Sequence, residues 1–115
     1  MDLKLSKEQE MIRQMAREFA DKEVCPLAQD IDKSHKYPID LAMKMGKLGL
    51  MGMMVEPAFG GAGTDTVSYT IAIEEISRAS AAVAIIMSVN NSLVCYPLQK
   101  NANEAQKKKY LPDLA

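Results

Sequence analysis

At 115 residues, 48% hydrophobic and 25% charged, the chain suits one domain with its own core, and the composition is neither disordered nor collagen-like. Fourteen Lys and Arg against 15 Asp and Glu leave a formal charge of −1, which provides no basic face for nucleic acid. Two cysteines, Cys25 and Cys95, are too few for a metal cage or a disulfide framework, and the absence of a signal-peptide pattern favours a reduced, cytosol-like compartment.

Ser6 and Gln9 have capping-box spacing, and Ile12, Met15, Ala16 and Phe19 behind them form one apolar helical stripe. Pro26 removes a backbone donor, so the helix is expected to kink or restart there and run through Leu27, Ala28 and Ile31. A polar loop over residues 32–36 follows. Pro38 then fits the first turn of a second helix, whose Leu41, Met45 and Leu48 stripe ends at Gly49. From Gly52 to Asp65 periodicity disappears, and residues 56–63 form a glycine-rich loop. A third helix is predicted from Asp65 to Arg78 with Val67, Ile71 and Ile76 inward. Residues 79–93 are apolar almost all round and predict a buried central helix. Asn103 and Gln106 again have a capping spacing, opening a last helix that ends at Pro112. The longest apolar run, residues 81–87, is far short of the about 20 residues of a membrane span. The sum is an all-α, up-and-down bundle of about five helices with one long glycine-rich loop.

Isolated candidates for chemistry are better read as structure. Glu74 and Glu75 point about 100° apart on a helix and cannot share one substrate atom, so a solvated or hydrogen-bonded role is expected. His35 reads as a surface residue of a polar loop. Gly60-Gly61-Ala62-Gly63 is followed by no Lys-Ser or Lys-Thr and reads as a tight turn with positive φ, not a phosphate loop. Both cysteines read as small buried hydrophobes, and Lys107-Lys108-Lys109 as the solvated C-terminal end of a helix. No metal site is expected.

The order of phrases carries more. Leu5-Ser6-Lys7-Glu8-Gln9, Lys47-Leu48-Gly49-Leu50-Met51-Gly52, Phe59-Gly60-Gly61-Ala62-Gly63 and Ala72-Ile73-Glu74-Glu75-Ile76-Ser77-Arg78 are followed by Met87-Ser88-Val89-Asn90-Asn91-Ser92-Leu93 and Gln106-Lys107-Lys108-Lys109-Tyr110-Leu111-Pro112. In that order and spacing the chain, over residues 1–115, resembles the N-terminal helical domain of the acyl-CoA dehydrogenases, and the stretch from Met87 to Leu93 is most similar to the short-chain, butyryl type. The resemblance implies an FAD-dependent oxidation of a short-chain acyl-CoA to the trans-2-enoyl-CoA. It also places the catalytic base and most of the FAD site in a middle β-domain and a C-terminal helical domain beyond this chain, which alone should be inert.

By the same resemblance, the acyl-lining residues map to Ile85, Ile86, Val89, Asn90 and Leu93, with the bulky members limiting chain length. Leu48, Leu50 and Ala62 map to a docking patch for electron-transferring flavoprotein. The resemblance further implies a homo-oligomer, a tetramer in the family, with no nucleic-acid or membrane partner. The compartment expected is the bacterial cytoplasm, or the mitochondrial matrix in a eukaryote. From a different class stands a free-standing helical interaction module derived from the same domain.

Overall fold

A computed structural model describes residues 2–115, and every described element is helical. Five rods account for the fold. The first comprises α1 (Lys7–Phe19), a π turn (Ala20–Val24), a 3₁₀ turn (Cys25–Leu27) and α2 (Ala28–Ser34). Then come α3 (Ile39–Lys47) and α4 (Thr66–Ala79). The central rod, Ala81–Asn101, contains α5 (Ala81–Ser88), a second π turn (Val89–Cys95) and α6 (Tyr96–Asn101), and α7 (Glu104–Leu114) closes the chain.

Local chemistry explains the boundaries. The capping box at Ser6 is formed in both directions: its Oγ accepts from the Gln9 amide at 3.1 Å, and Gln9 Oε1 accepts from the Ser6 amide at 2.9 Å. Asn103 and Gln106 repeat the device ahead of α7. Pro26 ends the regular ladder as expected. Its ring would collide with the carbonyl four residues back, and the chain relieves this by widening the turn before it, where the Cys25 amide donates to the Ala20 carbonyl. The helix resumes and runs into the loop expected over residues 32–36, continuing to Ser34 before His35 turns left-handed at φ 54°. Pro38 caps α3 from outside instead of opening its first turn. Gly49, at φ 79°, takes the left-handed position just past the helix end that a side chain would resist.

The core is built from one face of each rod. Ala16, Phe19 and Val24 meet Met45 of α3, Ile76 of α4 and Met87 of α5, with Leu50 and Met53 of the long loop filling the gap. Each large side chain so buried contributes about 1.5–3 kcal/mol. A second cluster, Val55, Phe59, Cys95 and Leu111, packs under the loop. Gly61 lies so close to Val55 that a Cβ there would run into its backbone carbonyl.

Several inward assignments need correction. Val67 is exposed, because Asp65 caps α4 and sets the phase in which Ser68, Ile71 and Ala72 face inward. Cys25 is exposed and only Cys95 is buried. The lysine run lies in the first half of α7 instead of at its end, since Pro112 is accommodated within that helix. Residues 79–93 are not one buried helix. Ser80, extended at φ −158°, interrupts the helix and caps α5, and only one side of the central rod lies in the core. The seven-residue apolar run also understates this helix, whose 21 residues have the length and mean hydropathy of a membrane span. Its buried face packs in the bundle core, and its amides bond the loop backbone.

Glu75 has the structural role expected of it. It is buried and receives two hydrogen bonds from Arg17, Nη2 to Oε1 at 2.8 Å and Nε to Oε2 at 3.0 Å, which tie α1 to α4. Arg78 adds a 3.5 Å contact to Glu75 and reaches Asp21 at 2.6 Å. The Arg17 hydrogen bonds hold the Glu75 carboxyl below the usual carboxylate range, against the opposing push of burial.

Candidate functional site

The central rod has two unlike sides. Val83, Ala84, Met87, Asn91 and Cys95 face the core, while Ile85 (61% exposed), Val89 (41%) and Leu93 (69%) stand in open solvent at four-residue intervals. Such a run of large aliphatic side chains, opposite the side of the helix that packs in the core, is an unpartnered apolar face. Ile86 is half-buried and packs against the main core. Asn90 does not join the stripe. Its Nδ2 donates to the Met51 and Leu114 carbonyls, both at 2.7 Å. The five residues assigned to the acyl wall therefore divide into an open stripe of three, one core-side neighbour and one amide committed to backbone.

The assigned docking residues also divide. Leu50 is wholly buried among the core residues, so it offers no surface. The reason is the left-handed turn at Gly49, which sends the chain inward immediately after α3. Leu48 is exposed and lines a groove of about 670 Å³ between α1 and α3. Ala62 is exposed beside Gly49. Met11, Met15, Phe19 and Leu48 line the groove together with the charged Glu18, Lys22, Glu23, Lys44 and Lys47, and Lys44 is bonded to Glu23 at 2.6 Å. Phe19 is in the core and Met15 packs against it, as their stripe predicts, so Met11 is the groove residue of α1 that the sequence reading passed over. The signal was present in the i, i+4, i+8 spacing of these three.

No group of three or more metal-ligating side chains occurs among the described residues. The glycine-rich loop is no phosphate cradle either. Gly60 and Gly63 have positive φ, as a tight turn requires, while Val55 fills the space over Gly61 and the Pro57 ring that over Gly63.

The described residues thus form an all-helical domain with an open aliphatic stripe on its central rod. The chain belongs to the acyl-CoA dehydrogenase N-terminal domain family, whose model matches residues 6–115. It is 50% identical over 111 residues to an acyl-CoA dehydrogenase of Bacillus subtilis (strain 168), covering 96% of this chain and 29% of that protein. To the short-chain-specific acyl-CoA dehydrogenase of Clostridium acetobutylicum it is 44% identical over 115 residues, covering all of this chain and 30% of the relative. The butyryl-CoA dehydrogenase structure from Megasphaera elsdenii superposes with a TM-score of 0.90 at 33% identity, over 99% of this chain and 30% of the other. The chain thus spans about 30% of the length of the relatives it matches.

Proposed function

We propose that this chain is the acyl-wall domain of an FAD-dependent dehydrogenase that converts short-chain acyl-CoA thioesters to trans-2-enoyl-CoA. The observation that carries the reading is the open stripe of Ile85, Val89 and Leu93. A surface of this kind gains free energy when covered, at roughly 25 cal/mol per Å² of apolar area removed from water. An acyl chain laid along it, with other domains of the longer protein closing over, excludes water and supplies that cover. The short-chain preference is supported by the specificity of the Clostridium relative and the substrate named for the Megasphaera structure. A bulky aliphatic stripe is also the chemistry that stops a pocket short.

The remaining assignments extend this reading. The base and the flavin belong to the rest of the protein, and the 115 residues alone are inert. Electron-transferring flavoprotein is assigned to the side bearing Leu48 and Ala62, where the groove between α1 and α3 adds Met11 and Met15. The intact protein is a homo-oligomer of a cytoplasmic or mitochondrial-matrix compartment.

The test compares two proteins. The full-length product is expected to purify yellow and to reduce a dye acceptor with butyryl-CoA, while this chain alone does neither. Flavin absorbance or turnover from the 115 residues, or a colourless and inactive full-length product after flavin reconstitution, overturns the reading.

A further inference from the structure

The π turn Val89–Cys95 holds three adjacent side chains that the acyl-wall reading does not use: Asn90, Asn91 and Ser92. Asn91 is buried and fully engaged. Its Nδ2 donates to the Leu50 carbonyl at 2.8 Å and to the Met87 carbonyl at 2.9 Å, and its Oδ1 accepts from the Met53 amide at 2.8 Å. Asn90 holds the Met51 and Leu114 carbonyls from the neighbouring position. Ser92 Oγ donates to the Ser88 carbonyl at 2.7 Å. In a regular α-helix the Met87 and Ser88 carbonyls are the acceptors for the backbone amides of residues 91 and 92. Here the side chains of those same residues serve both carbonyls. The ladder beyond has shifted by one, with the Tyr96 amide donating to the Asn91 carbonyl.

The widened turn decides where Leu93 points. An uninterrupted α-helix turns about 100° per residue, so eight residues would carry Leu93 about 80° round from Ile85, toward the direction of half-buried Ile86. In the structure Leu93 stands as open to solvent as Ile85, because a turn with an extra residue makes each later residue lag. We propose that Asn90, Asn91 and Ser92 are positioning residues for chain-length specificity, fixing the π turn so that Leu93 completes the stripe begun by Ile85 and Val89. This rests on the acyl-wall reading for its consequence but not for its geometry. When the side-chain donors are lost, the turn tightens toward α and Leu93 swings out of line, leaving room at one end of the wall.

Two measurements separate the geometry from its consequence. In this chain carrying Cys25→Ser and Leu93→Cys, the thiol at position 93 reports phase through its reaction with N-ethylmaleimide. Adding Ser92→Ala or Asn91→Leu is expected to slow labelling by about threefold or more, as the thiol turns toward the half-buried side. Unfolding acts in the opposite sense, so a variant that fails to fold cannot mimic this result. Unchanged labelling in Ser92→Ala, the milder variant, overturns the proposal. In the full-length dehydrogenase, Ser92→Ala is expected to raise kcat/KM for octanoyl-CoA relative to butyryl-CoA by about threefold or more. Slowed labelling with an unchanged ratio overturns the role in specificity. If Val89→Ala also leaves the ratio unchanged, the acyl-wall reading itself is what fails.

Discussion

Glu75 shows how one buried charge can be structural without being catalytic. Its carboxylate is ionised in place because two Arg17 hydrogen bonds and the nearby Arg78 favour the charged form more than burial opposes it. A folded-state pKa below the ordinary value of 4.5 means the pair contributes stability above that pH, and the contribution is lost as pH falls through the folded value. Glu75→Gln is therefore expected to destabilise by about 1–3 kcal/mol at pH 7, since hydrogen bonds to a charged group are lost. Urea midpoints measured from pH 7 downward should show wild type and variant converging in acid. A constant difference at every pH would assign the loss to shape instead of charge. The neighbouring Glu74, exposed on the same helix, is expected to tolerate Gln without measurable cost.

Among the elements, α4 begins at a residue that serves two helices. Asp65 accepts from the Ser68 amide at 2.7 Å and from Gln9 Nε2 at 3.0 Å, so the cap of α4 also grips the capping box of α1. The Ser68 hydrogen bonds hold the Asp65 carboxyl below its usual range, so this cap too weakens on acidification. Asp65→Ala should cost about 1 kcal/mol, read from thermal melts, and Asp65→Asn much less because an amide oxygen can still accept. Gly61→Ala is expected to cost about 1–3 kcal/mol, because Val55 must move to admit the methyl group.

Elements differed in how legible they were. Ser6, Asn103 and the Leu41–Met45 pair signal their helices through spacing within a single turn or two and are present in the fold, while Leu48 of the same stripe falls just past α3 and is exposed. Leu50 and Asn90 could not be placed this way. The direction of Leu50 depends on one left-handed glycine and then on a loop without periodicity. The partners of Asn90 are carbonyls 39 and 24 residues away. The π turn has no hydrophobic period of its own, so nothing in the spacing separated Ile86 and Asn90 from the other residues that the resemblance maps to the acyl wall.

At the scale of the whole molecule, the bundle closes its core yet leaves apolar surface open, the Ile85–Val89–Leu93 stripe and the Met11–Met15–Leu48 groove among it. Both lie in folded, capped elements. The isolated chain is accordingly expected to enhance the fluorescence of an apolar dye while fully helical, and to self-associate as concentration rises. Sedimentation of a clean monomer at high concentration, without dye binding, would show that these faces do not seek cover.

The stripe is the feature on which the proposed function rests, and shortening it is the most direct test. In the full-length protein, Val89→Ala removes two methyl groups from a half-exposed position without opening the core. With about 0.8 kcal/mol for each methylene buried, room for two more carbons corresponds to a rise of about tenfold or more in the octanoyl-CoA to butyryl-CoA ratio of kcat/KM. That rise, in a variant whose melting temperature matches the parent's, is the expected result. A folded Val89→Ala enzyme with the parent's chain-length profile would contradict it and return the stripe to the surface of some other interface.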